Sequence, residues 1–423
     1  MAADRMVLGK GIEYSTDSNE TGLNNNVIIC ASSGAGKTKS LVEPCILRLN
    51  ESNGVIAVTK RILVNKYKPY YEKQNRIIYD LNLTDPENSP DSFDPLTFVN
   101  SYQDITYLAK SVVYSKADPK DTKADPYWQH AAESLLAAEI ALAMMTVKNA
   151  TFADVLKLQA RLTIQGDSGA ITTSLDSEFE RIEQKDPTCF AVTCWRTFKN
   201  LPIRTAGCVY SELNTMIDTM FSPDMREMMA KGTTIDFEKM ATQKCVLFIN
   251  TSPVNPALNQ FADMVYSQMI KSLFEYAEKQ PDGRLPIPMR MFFDDFATGG
   301  KIYNFPEYIS IFREKQISVM LLLQSESQLA GMYGENHATT IINNCDTYIY
   351  MGGMDLQTAR SVSDRLNAPL EDVLYMPIGQ EFIFRRGQRP IITERYDIYN
   401  DELFKMVHHQ YERKPHVLPL RRA

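Results

Sequence analysis

Short and nearly continuous apolar runs punctuate this chain, most of them followed by a small or polar residue. Residues 27–30 (VIIC), 54–58 (GVIAV), 76–79 (RIIY), 246–249 (VLFI), 289–293 (MRMFF), 317–323 (ISVMLLL) and 347–351 (TYIYM) are the examples. Apolar residues in unbroken runs, not at alternate positions, predict strands covered on both faces, as in a parallel sheet. Helical patterns separate most of them, notably 259–279 and 355–366, so the expected fold class is α/β. Near the end, 381–386 and 390–394 flank Gly387 and predict an antiparallel hairpin at the sheet edge.

Between about 101 and 233 the strand signals stop, and Ala, Leu, Glu and Met dominate. Asp125-Pro126 reads as an N-cap followed by proline at the first helical position. Thr151-x-x-Asp154 reads as a capping box before Val155, Leu156 and Leu158. The expectation is an all-α domain (103–232) inserted between two parts of an α/β domain (1–102 and 233–423). The basic tail with Arg413, Lys414, Arg421 and Arg422 reads as a solvated end.

Composition narrows the class. A chain of 423 residues exceeds one ordinary core, and 44% hydrophobic with 23% charged residues describes a globular protein. A formal net charge of −7 argues against a surface that coats nucleic acid non-specifically, while leaving room for a local basic pore. The cysteines are seven, an odd number, and form no C-x-x-C pair, as expected of reduced, mostly buried thiols of an intracellular protein without a zinc site. The apolar stretch 134–147 is too short to span a bilayer and carries Glu139 inside it. No basic-then-apolar leader opens the chain, so no membrane segment is expected within it.

The chemistry concentrates at 27–38, VIICASSGAGKT. An apolar strand emptying into a glycine-rich turn that ends in Lys37-Thr38 is a P-loop. Ser33, Gly34, Ala35, Gly36, Lys37, Thr38 and Lys39 are the phosphate-binding run. Gly34 and Gly36 let backbone N–H groups turn toward a phosphate at a helix N-terminus. Lys37 is placed to meet the β- and γ-phosphates of ATP, and the Thr38 hydroxyl to hold Mg²⁺. Ala31 stands where the consensus has its first glycine.

A second half of the site is expected in MFFDDF (291–296). Asp294 ends a strand, at the sheet edge where ligands of open α/β folds bind, and would complete the metal's shell. Asp295 would polarise the attacking water, where many motors use glutamate, one methylene longer. Gln324 ends the next strand, in position to sense a γ-phosphate. Arg313 lies at the end of the helix before that strand, either as a surface cation or as a finger in a neighbour's site.

GLNNNVIICASSGAGKT (22–38), FFDDFATGGKIYNFPEYISIFREKQISVMLLLQSESQL (292–329), YGENHATTIINNCDTYIYMGG (333–353) and FRRGQRP (384–390) resemble the cytosolic motor of conjugative coupling proteins. These ATPases feed relaxase–DNA substrates into type IV secretion channels, and the match covers nearly the whole chain. The resemblance implies a RecA-type P-loop nucleotide-binding domain with an inserted all-α domain, and a homo-hexamer with ATP and Mg²⁺ between subunits. It assigns Lys37 and Thr38 to the Walker A pair, Asp294 to Walker B, Gln324 to the sensor and Arg313 to the trans finger. DPYWQHAAESLL (125–136) resembles the opening of the helical domain. The implied partners are single- or double-stranded DNA, relaxase proteins and type IV secretion channel components.

Three departures stand out. Asp295 replaces the usual glutamate, and VTKRIL (58–63) lacks the Asp-Pro often found before the counterpart of Lys60. The family's N-terminal transmembrane hairpin is also missing from this sequence. Either that segment lies outside it, or the protein is an anchorless member docking on a separate membrane-anchor protein at the inner face of the cell membrane. Two functions follow: a DNA-pumping motor, or a weakly hydrolysing gatekeeper, toward which Asp295 points. A P-loop enzyme for a small substrate is disfavoured, because no arginine-rich lid follows the P-loop.

Overall fold

The structure, a computed structural model, describes residues 4–116, 126–166, 171–252, 254–296 and 300–412. Its strands in chain order are β1 (Arg5–Gly9), β2 (Ile12–Ser15), β3 (Val27–Cys30), β4 (Asn53–Val58), β5 (Ile77–Asn82), β6 (Ile164–Gln165), β7 (Thr172–Thr173), β8 (Cys245–Asn250), β9 (Met289–Phe293), β10 (Ile317–Leu323), β11 (Thr347–Tyr350), β12 (Gln380–Arg385) and β13 (Ile391–Glu394). Nine of them form one sheet in the order β13-β12-β11-β3-β10-β9-β4-β8-β5. Its core from β11 to β5 is parallel, and β12 and β13 close one edge antiparallel.

The unbroken apolar runs have a direct cause. Successive side chains of a strand point to opposite faces, and both faces are covered. Ile28 and Cys30 of β3 enter one core with Val319, Leu321 and Leu323 of β10. Val27 and Ile29 enter the other with Met320 and Leu322, under the helix Arg61–Glu72. The first core is continuous with the long helix Pro256–Glu278 and with the helices that follow β5 in sequence.

Two strands were hidden from pattern reading. The β1–β2 hairpin pairs antiparallel through a tight turn in which Gly11 adopts φ +71°; its apolar run is only the three buried residues Met6, Val7 and Leu8, and β2 has none. The sequence signal at 76–79 covers only the start of β5, which continues through Asp80 to Asn82. Asp80 is buried yet paired with Arg61, Nη2 to Oδ2 at 2.7 Å, which lets a carboxylate sit in an edge strand.

Between β5 and β8 the chain is helical apart from the two-residue pairing of β6 with β7. The fold is thus the expected RecA-type α/β P-loop architecture with an inserted helical region. Helix Pro126–Thr146 runs through the middle of that region and buries Leu135, Leu136, Ile140 and Leu142, so residues 135–143 of the 134–147 stretch are core, while Met144, Met145 and Val147 are exposed. Among the described residues no helix is long and apolar enough to cross a membrane. At helix Phe152–Arg161 the Asp154 carboxylate accepts from the Thr151 N–H at 3.0 Å. The expected cap at Asp125 and the basic tail from Arg413 lie outside the described residues.

A short stem carries the helical region. Thr234 N–H donates to Ser92 O at 3.1 Å and the Ser92 N–H to Thr234 Oγ1 at 3.0 Å. Asp94 N–H donates to Thr233 Oγ1 at 2.7 Å. The buried Asp94 carboxylate accepts from Phe152 N–H at 2.8 Å and Leu96 N–H at 3.3 Å, joining stem to helix. Asp94→Ala is expected to cost about 2 kcal/mol in urea unfolding at pH 7, because it strands two backbone donors. Burial pushes the Asp94 carboxyl up from 3.8 to about 6. The folded state therefore holds an extra proton between those pH values, and this contribution declines as pH rises from 4 to 6. The stability difference between wild type and Asp94→Ala should fall across that interval, and a difference independent of pH would exclude the assignment.

Candidate functional site

Parallel pairing brings three strand ends together. Cys30 lies opposite Leu323, and Leu321 opposite Phe293, so the carboxyl ends of β3, β10 and β9 share one edge. The residues that follow them, Ala31, Gln324 and Asp294, belong to the three motifs read from the sequence.

After β3 the chain turns sharply. Gly34 and Gly36 hold φ +75° and +87°, a region that side chains rarely adopt. Ala31 N–H donates to Leu323 O at 3.1 Å and Ser32 N–H to Gly352 O at 2.9 Å, which fastens the loop to the ends of both neighbouring strands. Alanine at 31 is accommodated as a buried residue continuing the strand line. Ser33 is exposed at the loop tip.

Helix begins at Lys37, but its first full turn, Thr38–Val42, is a π-helix in which the Glu43 N–H reaches Thr38 O. Pro44 supplies the reason: it has no N–H to donate, and its ring crowds the carbonyl four residues back. Thr38 Oγ1 donates to the Asp294 carboxylate, at 3.2 Å from Oδ1 and 3.3 Å from Oδ2. Lys37 is buried and donates from Nζ to Ala31 O at 2.7 Å and Ser32 O at 3.4 Å. Lys39 turns away, pairing with the buried Glu43 at 2.8 Å.

The electrostatics fit a cation and an anion together. Burial lowers the Lys37 ammonium's pKa, while the Asp295 and Asp294 charges act to restore it. Burial and then the neighbouring Asp295 push the Asp294 carboxyl up from 3.8 to about 6. A desolvated carboxylate beside a second carboxylate and a threonine hydroxyl is a hard-oxygen donor set that suits Mg²⁺.

Asp295 adopts φ +54°. This left-handed turn lets Phe296 N–H donate to Leu322 O at 3.0 Å, closing the loop onto β10. Aspartate tolerates this region better than longer side chains do, a backbone reason for the shorter acid that sequence alone lacked. Gln324 is exposed at the end of β10, and its N–H donates to Gln328 Oε1 at 3.2 Å.

Arg313 is placed elsewhere. The helix before β10 spans Phe305–Ile311, so Arg313 does not close it but sits in the following turn, exposed. It lies at the amino end of β10, a strand of 7 residues, whereas the P-loop lies at the carboxyl end. At about 3.3 Å per residue that separation is roughly 20–25 Å. The arginine shares a cavity of about 480 Å³ with Arg284 and Arg290.

The sequence reading missed Arg395, just past β13. Its guanidinium donates to Ala35 O of the P-loop, to Met351 O at 2.7 Å and to Gln380 O at 3.4 Å. No local motif marks such a residue, which lies 360 positions from Ala35.

A family model described as "Type IV secretory system Conjugative DNA transfer" matches residues 3–368. The unbound monoclinic form of the conjugative coupling protein TrwBdeltaN70 superposes with a TM-score of 0.70 at 16% identity, covering 94% of this chain and 89% of that one. TrwB in complex with ADP and Mg²⁺ gives 0.70 at 16% identity, covering 93% and 89%. VirB4 of Thermoanaerobacter pseudethanolicus gives 0.54 at 13% identity, covering 89% and 91%. These likenesses show the fold. A search of curated protein sequences finds no match.

Arg395→Ala is expected to loosen the P-loop, since three carbonyls lose a shared charged donor. Amide hydrogen exchange at residues 31–36 should accelerate by an order of magnitude or more, while the central strands stay protected. Unchanged exchange there would mean that Arg395 does not restrain the loop.

Proposed function

The chain belongs to the type IV secretory system conjugative DNA-transfer family, and from that premise we propose that it is an ATP-driven coupling ATPase that recruits a relaxase–DNA complex and pumps its DNA into a secretion channel. The observation that carries the proposal is the convergence of P-loop, Gln324 and the Asp294–Asp295 pair on adjacent strand ends, with Thr38 hydrogen-bonded to Asp294.

In this reading the backbone of 33–39 cradles the phosphates of ATP, and Lys37 meets the β- and γ-phosphates. Thr38 and Asp294 hold Mg²⁺, which when bound neutralises phosphate charge. Asp295 orients the attacking water, and Gln324 registers the γ-phosphate from the strand between the two motifs. TrwB, of the same fold, has been solved with a non-hydrolysable ATP analogue and with ADP and Mg²⁺.

Arg313 acts on a neighbouring copy. Its place at the amino end of β10 puts it out of reach of its own P-loop, which fits a finger that serves a neighbouring copy's nucleotide in a homo-hexameric ring with ATP between subunits. Residues 1–102 and 233–423 form the nucleotide-binding domain, and 103–232 the inserted domain, carried on the Ser92–Thr234 stem. Channel components, relaxase proteins and a membrane-anchor partner at the inner face of the membrane complete the assembly.

Lys37→Ala is expected to lower ATP turnover by at least about 10²-fold, because it removes a charge that meets the transferring phosphate. Turnover equal to wild type would overturn the site. Arg313→Ala should bind ATP normally yet lose about 10³-fold or more in turnover. Mixing it with Lys37→Ala should restore part of the activity, since some interfaces then pair an intact P-loop with an intact finger. Absence of complementation, with Arg313→Ala as fast as wild type, would leave Arg313 a surface cation.

Asp295→Asn should keep ATP but lose hydrolysis. Single- and double-stranded DNA should accelerate wild-type turnover. Slow turnover indifferent to DNA would favour the gatekeeper, the reading toward which the short Asp295 carboxylate points.

A further inference from the structure

The cavity of about 480 Å³ at the amino ends of β9 and β10 stands apart from the phosphate cradle: none of residues 27–39 lines it. Its volume falls in the range of small-ligand sites. Arg290, the second residue of β9, is in its wall and only 4% exposed. Its Nη1 is buried without a hydrogen-bond partner, and among the described residues the guanidinium forms no ion pair. The Phe292 ring, 5.5 Å from Cζ to centroid, offsets only part of such a charge. A guanidinium keeps its proton throughout the pH range in which proteins fold. A buried one therefore needs an anion beside it.

The chain's own acids do not supply that anion. Four carboxylates line the cavity, and each is engaged elsewhere or solvated. Asp4 accepts from the N–H groups of Asn50 at 2.6 Å, Glu51 at 2.8 Å and Ser52 at 3.0 Å. Glu51 pairs with Lys244 at 3.3 Å, Asp17 accepts from Asn19 N–H at 2.8 Å, and Glu314 is exposed. Arg284, in the loop before β9, brings a second guanidinium to the wall, exposed and likewise without an ion pair among the described residues.

We propose that this cavity binds a small phosphate monoester, with its phosphate on Arg290 and Arg284. A planar guanidinium fork matches phosphate oxygens two at a time. A monoester phosphate carries close to two negative charges at neutral pH, which two arginines balance, whereas a carboxylate balances one. The cavity is larger than a phosphate group, which leaves room for the esterified body. The lining carboxylates repel a polyanion such as nucleic acid, yet they accept hydrogen bonds from the hydroxyl groups of a small polyol. Arg313 also lines the cavity, but the site does not require it, so this site and the finger reading stand independently.

The test is calorimetric titration of the full chain carrying Lys37→Ala, which suppresses phosphate binding in the P-loop, at neutral pH and fixed ionic strength. The probes are inorganic phosphate, glycerol 3-phosphate and acetate. Glycerol 3-phosphate should bind at least as tightly as inorganic phosphate, and acetate about 10-fold or more weakly. Adding Arg290→Met should weaken both phosphates about 10- to 100-fold, the value of a charge-assisted hydrogen bond. Adding Arg284→Ala, at a solvated position that leaves the cores intact, should weaken them about 3- to 10-fold. Arg290→Met should also raise the thermal midpoint of the ligand-free chain, because it removes a buried charge without a counter-ion. A residue that only supports the fold would lower that midpoint. Acetate as tight as phosphate, glycerol 3-phosphate weaker than inorganic phosphate, unchanged phosphate affinity in either arginine variant, or a lowered Arg290→Met midpoint would overturn the site.

Discussion

Parallel hydrogen bonding among β3, β10 and β9 is the constraint on which the rest depends. Each strand carries its motif one residue past its carboxyl end, so strand register sets how far apart those motifs stand. With Cys30 opposite Leu323 and Leu321 opposite Phe293, the P-loop, Gln324 and the aspartate pair face one crevice. A slip of one residue in β10 would exchange the faces of Val319, Leu321 and Leu323 with those of Met320 and Leu322. Because both faces are apolar, the register rests on side-chain shape and on loop closures such as Ala31 N–H to Leu323 O and Phe296 N–H to Leu322 O.

The P-loop is held from the other side by segments far along the chain. Gly352 accepts from Ser32, and Arg395 ties Ala35, Met351 and Gln380 together. Behind the P-loop helix, the buried Glu43 gathers the Lys66 ammonium at 3.0 Å, the Tyr67 hydroxyl and Lys39. Lys66 in turn stands 3.6 Å from the centroid of Phe404, in the last helix. Two ammonium groups and a phenol around the buried carboxylate compensate its charge away from water. The helix that begins the phosphate site is therefore tied to β4's following helix and to the chain's C-terminal segment at once.

The helical region is attached more sparingly. Its stem is a few hydrogen bonds between 91–94 and 233–234, reinforced by Asp94 capping into helix Phe152–Arg161. Its core is nevertheless continuous with the sheet's first core, through Phe221, whose ring packs 5.0 Å from Phe152 within the region and 5.9 Å from Phe261 of the helix Pro256–Glu278. Apolar contact, more than the stem's hydrogen bonds, carries the connection between the two.

The sequence by itself determined the element types and the chemistry of the crevice. Unbroken apolar runs such as 317–323 encode strands buried on two faces, and GAGKT encodes a turn only glycine can make, whatever surrounds it. Local physics suffices there, because backbone handedness and burial act on neighbours in the chain. Tertiary structure alone decided the rest. Asp80 is legible as a strand residue only once Arg61 stands beside it, and Asp295 becomes a backbone choice only when its φ is known. Arg313 is separated from its own P-loop by the length of β10, a distance that spacing along the chain does not encode. Arg395 clamps a loop 360 residues earlier because sheet order places β12 and β13 beyond β11. Those contacts arise from strand order, and strand order is a property of the packed sheet that no single segment carries.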